Sequence, residues 1–468
     1  MAGLTLSLLV GVLAVAPPAV AATLVASSLL DEPDANPGDG VCASTPSGVC
    51  TLRAAIEEAN ATPGADTVTV PVGTYVIGTP LVVTDDLVLE GSGPDQSVVV
   101  TQPTFTSVGG LDVIRQVGGS LEVRSLGFDL GARQPTGIRM AADGLSLRVE
   151  DVVMDGASDG VGVFSAIPGP GDPSDITVDV LDSVFRNHGN VPILVSARDI
   201  FVDGSRVATG LRNTVRVLRT SFEANEYALL FDGDATTTVT ITDSQIVDGY
   251  LLDGAGTAVR RANGIEMYGE ASLRIERTLI ARNEGGISGS GPVEIIDSEL
   301  RDNSLYGFEG LGVTILGSTI DGNGYGIGAT SLVMRDSTVS DSAPNENCTR
   351  CGVGVRVYDD PATVTNSTIS GNARFGLGLF GGGDVDGVTI VGNAWSPDSE
   401  GDEGSGEGGL YIETSGVTSS VRNTVLAGNR FDCFGLPAGS PFPSAGHNLD
   451  SDGTCGLTGP GDRSGIDP

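Results

Sequence analysis

The chain has 468 residues, 69 of them Gly, with 40% apolar and only 5% aromatic residues. That composition supports a large β-rich core with many turns and excludes wholesale disorder. All 25 basic residues are Arg, set against 60 acids, and the net charge of −35 excludes nucleic acid and anionic lipid surfaces as partners.

The first element is an apolar run from Leu4 to Ala16, followed by Ala19-Val20-Ala21, a small-x-small pattern ahead of Ala22. It predicts a secretory leader over residues 1–21, although no Arg or Lys precedes the run. No later stretch approaches the roughly 20 apolar residues of a transmembrane helix. Next comes Asp31-Glu32-Pro33-Asp34-Ala35-Asn36-Pro37-Gly38-Asp39-Gly40, which offers oxygen ligands at short spacing. Asp34, Asn36 and Asp39 are candidate Ca²⁺ ligands, and Ca²⁺ is the one cofactor the chain suggests. The stretch lacks the full twelve-residue loop with its terminal Glu, so an ordinary Asx-turn loop is the alternative.

Six cysteines suit an oxidising compartment. Proximity suggests Cys42–Cys50, Cys348–Cys351 and Cys433–Cys455, one choice among about 15 pairings. Zinc at Cys348-x-x-Cys351 would need two more ligands, and the two histidines, His188 and His447, are distant in sequence. After Cys50, Thr51 can cap a helix running to about Ala61, with Leu52, Ala55, Ile56 and Ala59 on one apolar face.

From about residue 68 a motif recurs: Val293-x-Ile295-x-x-Ser298-x-Leu300-x-x-Asn303. It returns as Val313, Ile315, Ser318, Ile320, Asn323 and is preceded by Leu273, Ile275, Thr278, Ile280, Asn283; Ala362, Val364, Ser367, Ile369, Asn372 repeat it later. The register can be followed through 12 windows, ending at Gly131, Ala157, His188, Asn225, Gly249, Asn283, Asn303, Asn323, Ser342, Asn372, Asn393 and Asn429. Seven of these ends are Asn, which makes Asn the defining corner residue, suited to left-handed geometry and to ladders between rungs. Gly286-Ile287, Gly307-Phe308, Gly326-Ile327 and Gly376-Leu377 read as the next short strand of each rung. Coils of about 20 residues with short alternating strands predict a single-stranded parallel β-helix of about 12–14 rungs over residues 68–430. The helix after Thr51 would cap its first layer, covering apolar surface and open strand edges. A disulfide-containing tail, 431–468, follows.

Some windows are swollen, and the excess maps to loops on the rod, where repeat proteins place binding surfaces. One acidic loop holds the only tryptophan. Trp395 and Tyr411 are candidate glycan-stacking residues; Phe375 and Phe380 lie near them in sequence and are the two expected to join the core. Arg198, Arg206, Arg212, Arg260 and Arg261 lie in or beside swollen segments, but a surface role paired with acids accounts for them. His188 occupies a corner that Asn takes elsewhere, which favours a structural role over membership of a Ser/His/Asp site.

The stretch Asp39-Gly-Val-Cys42, Val49-Cys50-Thr-Leu-Arg53-Ala-Ala-Ile56, Asn60-Ala-Thr-Pro63-Gly64-Ala-Asp66 and Pro71-Val-Gly73-Thr-Tyr75 resembles the CSLREA-type N-terminal domain, with Thr51 and Ala54 replacing the usual Ser and Glu. Such domains precede right-handed parallel β-helices of the pectate-lyase-like superfamily in secreted bacterial proteins. Residues 22–67 are then the cap. Arg422 to Asn429, Asp432-Cys433, Gly446 to Leu449, Asp452 to Cys455 and Asp467-Pro468 resemble the last coils of these proteins. Members usually run on past this point, often into a sorting tail, so a fragment or a missing anchor is expected.

The resemblance implies a bacterial protein, secreted or at the cell surface. The superfamily includes uronate lyases and glycosidases. A lyase needs a base and a cation for the substrate carboxylate, and an inverting glycosidase needs two carboxylates about 6.5–9.5 Å apart. No window matches such a catalytic motif. The leading expectation is a non-catalytic β-helix that binds cell-surface or extracellular glycans or acts in adhesion. The alternative is a polysaccharide lyase or glycoside hydrolase, to be recognised by an Arg and two or more acids converging on one side of the rod.

Overall fold

The computed structural model describes residues 21–468 apart from 106–111, 132–134, 143, 158, 165–174, 190, 198–199, 203–204, 208–211, 227–228, 234–235, 253–257, 270, 347, 349–350, 395–407, 414–417, 436–441 and 467. The fold is a right-handed parallel β-helix. One file of parallel-paired residues crosses it: Leu24, Val68, Leu89, Val123, Val149, Val180, Val217, Ile241, Ile275, Ile295, Ile315, Met334, Val364, Val385, Val421 and Ser444. At about 4.8 Å per step this makes a rod about 70 Å long. The file reaches beyond the recurring motif at both ends, taking in the strands Thr23–Val25 and Ser444–Gly446.

Each regular rung has three faces. The first carries the Val-x-Ile strand, with Val293 over Val313 and Ile295 over Ile315. The second is a three-residue strand with one inward side chain: Ile280, Leu300, Ile320, Val339, Ile369 and Ile390 stack in succession. The third holds the Gly-apolar pair and stacks Ile265, Ile287, Phe308, Ile327, Val355, Leu377 and Leu410. Alternation sends these side chains inward, where they form one continuous core.

Two polar ladders join the faces. Ser298 N–H donates to Ser318 Oγ at 3.1 Å, Ser318 N–H to Ser337 Oγ at 3.1 Å, and each hydroxyl turns back to its own rung, as Ser298 Oγ does to the Ile296 carbonyl at 2.7 Å. At the second corner Asn303 Oδ1 accepts from Asn283 N–H at 3.0 Å, while its amide donates to the Ile280 carbonyl at 3.2 Å. Asn323 repeats the pattern on Asn303 and Leu300. Buried backbone groups that the turning chain leaves unpaired are thus satisfied by the neighbouring rung.

The sequence reading put Asn itself in the left-handed conformation. The structure puts its predecessor there: Arg282, Asp302 and Gly322 have φ of 59°, 56° and 62°. That residue makes the turn, and the Asn side chain is free to point into the ladder. The glycines opening the third face are required for another reason. A Cβ on Gly326 would lie 2.3 Å from the Gly354 carbonyl oxygen, and one on Gly286 would lie 2.3 Å from that of Gly307.

The helix Leu52–Ala61 closes the N-terminal end, capped by Thr51 Oγ1 accepting from Ala54 N–H at 3.0 Å. Leu52, Ala55, Ile56 and Ala59 enter the core. Disulfides join Cys42 to Cys50, Cys348 to Cys351 and Cys433 to Cys455. Among the described residues no helix is long and apolar enough to cross a membrane.

His188 takes an Asn position in the ladder. Its N–H donates to Asn225 Oδ1 at 3.0 Å, but neither buried ring nitrogen has a well-formed hydrogen bond. Burial lowers its pKa to about 4, only partly offset by the Ala157 carbonyl. The unfolded chain therefore binds a proton below about pH 6.5 that the folded chain refuses. Stability is complete above that pH and falls as pH drops towards 4, by about 3 kcal/mol in all. Asn at this position could donate to the Met154 carbonyl, as Asn225 does to that of Phe185. Denaturant unfolding at pH 7 and pH 4.5 should show that His188→Asn narrows the difference between the two pH values; an unchanged difference would rule out His188 as its source.

Candidate functional site

The outward file of the third face runs Glu266, Ser288, Glu309, Gly328, Arg356, Gly378 and Tyr411 on successive rungs. Large polar residues alternate with small ones, so notches separate them. The notch over Gly328 lies between Glu309 and Arg356. A Cβ built on Gly328 would sit 3.4 Å from the Tyr325 ring, 3.5 Å from Tyr358 Oη and 3.8 Å from Glu309 Cγ, which defines the floor and walls.

Two polar atoms here, Arg356 Nε and Tyr325 Oη, are buried without a well-formed hydrogen bond among the described residues. Elsewhere arginines pair with acids: Arg219 grips Asp182 through two contacts of 2.6 and 2.7 Å, and Arg277 grips Asp243 at 2.7 and 3.1 Å. Those pairs line a shallow depression at the first corner and neutralise each other. Arg356 makes no ion pair among the described residues. It is held instead by two rings, its Cζ 5.1 Å from the Tyr358 centroid and 4.7 Å from that of Phe380, and its Nε is buried without an acceptor. Tyr325 Oη is likewise buried without a well-formed hydrogen bond, though it faces Tyr358. Glu309 is open to solvent on one side, yet burial on the other raises its carboxyl above the ordinary range.

Flanking residues hold the notch in shape. Phe380 stacks on Tyr411 at 4.7 Å, Tyr411 leans on Phe434 at 5.7 Å, and Phe434 covers the buried Phe375 at 5.7 Å. Gly378 lies beneath, where a Cβ would come within 2.8 Å of the Phe375 ring. On the other side Tyr306 donates to Asn263 Oδ1 at 3.3 Å and Tyr268 to Glu266 Oε2 at 3.0 Å, while Asn263 donates to Glu266 Oε1. Burial raises the Tyr306 and Tyr325 hydroxyls, so both remain protonated donors at neutral pH.

Of the residues singled out from sequence, Tyr411 lies on this strip, clamped between Phe380 and the Gly435 backbone, so it offers its edge and its hydroxyl. Trp395 and Arg198 lie outside the described residues. Arg206, Arg212, Arg260 and Arg261 fall in strands, but their side chains also lie outside that description. Phe375 is buried, but beneath Phe434 on the outer strip and not in the core cluster that Leu377 and Leu379 join, and Phe380 faces outward, stacked on Tyr411. Asp34 Oδ1 accepts from Asn36 N–H at 2.8 Å and Oδ2 from Ala43 N–H at 3.1 Å; Asp39 accepts from Val41 N–H at 2.9 Å and from the Asn36 amide at 3.1 Å. These are bonds of an Asx-turn loop.

One other acidic group was not anticipated. Asp432, Asp450 and Asp452 bring ligand atoms within 4.8 Å of one another at the C-terminal end. Asp432 accepts from Ser451 N–H and Oγ at 2.6 and 2.7 Å, and Asp450 from Gly453 N–H at 2.9 Å and Cys455 N–H at 3.1 Å. The group ties the last coil down beside the Cys433–Cys455 disulfide.

The family model described as right-handed β-helix region matches residues 200–395. No curated protein sequence matches the chain. Solved structures similar to it include a mutant of the periplasmic alginate epimerase AlgG, 12% identical with a TM-score of 0.41, over 64% of this chain and 73% of that one. The Azotobacter vinelandii mannuronan C-5 epimerase AlgE6 A-module is 15% identical with a TM-score of 0.34, over 82% and 96%. The catalytic unit of a GH87 α-1,3-glucanase from Streptomyces thermodiastaticus is 14% identical with a TM-score of 0.37, over 85% and 68%. Likeness at this level carries nothing about the chemistry of the site.

Proposed function

We propose that this is a secreted β-helix protein that binds an extracellular or cell-surface glycan in the notch over Gly328 and along the third face to either side. The observation that carries the reading is the convergence on one notch of Glu309, of Arg356, whose buried Nε has no acceptor and which forms no ion pair among the described residues, and of the buried Tyr325 hydroxyl, which faces Tyr358. Polar groups left unpaired in a crowded site are costly, and a ligand that supplies both donors and acceptors relieves them. Sugar hydroxyls do both. The net charge of −35 disfavours a polyanionic chain, and Arg356 as the fixed cation of the notch admits an isolated carboxylate, so the ligand is a neutral or sparsely acidic glycan. The leader-like segment, the resemblance of residues 22–67 to the CSLREA-type domain and the disulfides support an extracellular setting.

The test is a binding screen against immobilised neutral and acidic polysaccharides, with and without Ca²⁺. For the ligand found, Tyr325→Phe and Arg356→Lys are each expected to weaken binding by about tenfold, the first losing one donor and the second the planar fork. Unchanged affinity in both would remove the notch from the binding surface.

A second reading is favoured by one observation. Glu266 and Glu309 share a file two rungs apart, about 10 Å between Cα atoms, and the carboxyl of Glu309 is raised. Inverting hydrolysis needs two carboxyl groups about 6.5–9.5 Å apart with a water between them, a separation that two Glu side chains on Cα atoms about 10 Å apart can span. The binding reading predicts no release of reducing or unsaturated ends. Release that disappears in Glu309→Gln, with binding retained, would replace it with a hydrolase.

A further inference from the structure

We infer that the peptide bond between Ala21 and Ala22 is a processing site, and that the α-ammonium group freed at Ala22 pairs with the buried carboxylate of Asp66 and fastens the first strand to the rod. In the uncut chain the amide of Ala22 donates to Asp66 Oδ1 at 2.7 Å. Asp66 is fully buried, and its Oδ2 has no partner. Among the described residues no Arg forms an ion pair with it, and the charged groups that act on it, Asp85 and Glu58, are both acids. Burial, the larger effect, and these two acids raise its carboxyl. The site is therefore a buried carboxylate with one weak donor where its chemistry calls for a cation.

The position of the Ala22 nitrogen is set by the sheet. The Ala22 carbonyl accepts from Thr67 N–H at 2.9 Å, and Thr23–Val25 runs parallel to Thr67–Thr69 in register. Ala21, on the other side of the bond, is exposed. The sequence Ala19-Val20-Ala21 is what a leader peptidase selecting small residues would cut after. Hydrolysis adds water across the bond: Ala21 leaves with a carboxylate, and the Ala22 amine takes up a proton. An amide with one N–H becomes an ammonium with three, so Oδ1 keeps its bond and Oδ2 gains one. Processing then does more than release the chain. It installs the counter-charge that the end of the rod lacks before cleavage, at a rung with a neighbour on only one side.

Two forms of the chain test this: one released from a fusion with Ala22 as its free N-terminus, the other identical but carrying Gly-Ser ahead of Ala22. Hydrogen exchange of the Thr23–Ala26 amides, corrected for intrinsic rate, is expected to be about tenfold slower in the free-amine form at pH 6–7. Pairing raises the pKa of the amine, so the added protection is present below the ordinary α-amino value of about 8 and is lost as pH rises through the folded value. Asp66→Asn should abolish the difference between the forms. Should that variant not fold, the pH dependence of the unmutated pair decides. Equal exchange in the two forms, or a gap that survives undiminished at high pH, would overturn the pairing. N-terminal sequencing of the secreted protein should give Ala22, and any other start would overturn the processing site.

Discussion

Ile315→Asp is expected to unfold the central rungs. Ile315 is fully buried, paired between Ile295 and Met334 on the first face, and no Arg reaches the interior of the rod there. An ionised carboxylate at that depth has neither water nor counter-charge, and the cost of accommodating it is about 4–5 kcal/mol. Neighbouring rungs depend on each other for their apolar contacts, so the damage spreads along the array. Circular dichroism and denaturant titration should show a large loss at neutral pH, partly recovered in acid where the carboxyl is neutral. Ile315→Val, which only trims a methylene, should cost about 1 kcal/mol. An Ile315→Asp variant as stable as the parent would place this residue outside the core and contradict the register.

Asn303→Ala has the second largest expected effect. The side chain serves two rungs: Oδ1 takes the Asn283 N–H at 3.0 Å, and the amide serves the Ile280 carbonyl at 3.2 Å and Asn323 Oδ1 at 2.9 Å. Truncation strands a buried N–H and a buried carbonyl. At roughly 1–3 kcal/mol for each unsatisfied group, the loss is about 3–5 kcal/mol, well above the usual value for a surface Asn. Unfolding free energies from chemical denaturation check this, and a loss below about 1 kcal/mol would show that water replaces the ladder.

The ladders explain why so much of the fold could be read from the chain. An inward Ile or Val every second residue, a Ser two positions before the second-face apolar residue and an Asn after it are all set by one rung geometry, and that geometry repeats. The site was less legible. Its residues sit one step past the Gly-apolar pairs, at Glu266, Ser288, Glu309, Gly328, Arg356, Gly378 and Tyr411, so they share the repeat's period, but only Tyr411 among them stands out in the sequence. What the register could not convey is which of these side chains go unpaired. Arg356 looks like other arginines of the chain until the rings of Tyr358 and Phe380 are seen within about 5 Å of it. The acids at Asp432, Asp450 and Asp452 were missed because the tail has no repeat to align them. The left-handed corner was assigned one residue late, since the residue before Asn varies between Arg, Asp, Gly and Ala and only the backbone separates its role from that of Asn.

The measurement that bears most directly on the proposed function is a crystal structure of the chain with the tightest-binding oligosaccharide from the polysaccharide screen. We expect the sugar chain to lie over the third face, with hydroxyls in contact with Arg356, Glu309 and Tyr325 and its long direction following the file from Glu266 to Tyr411. A sugar bound at the charged first corner, on the second face, or only at an end of the rod would contradict it.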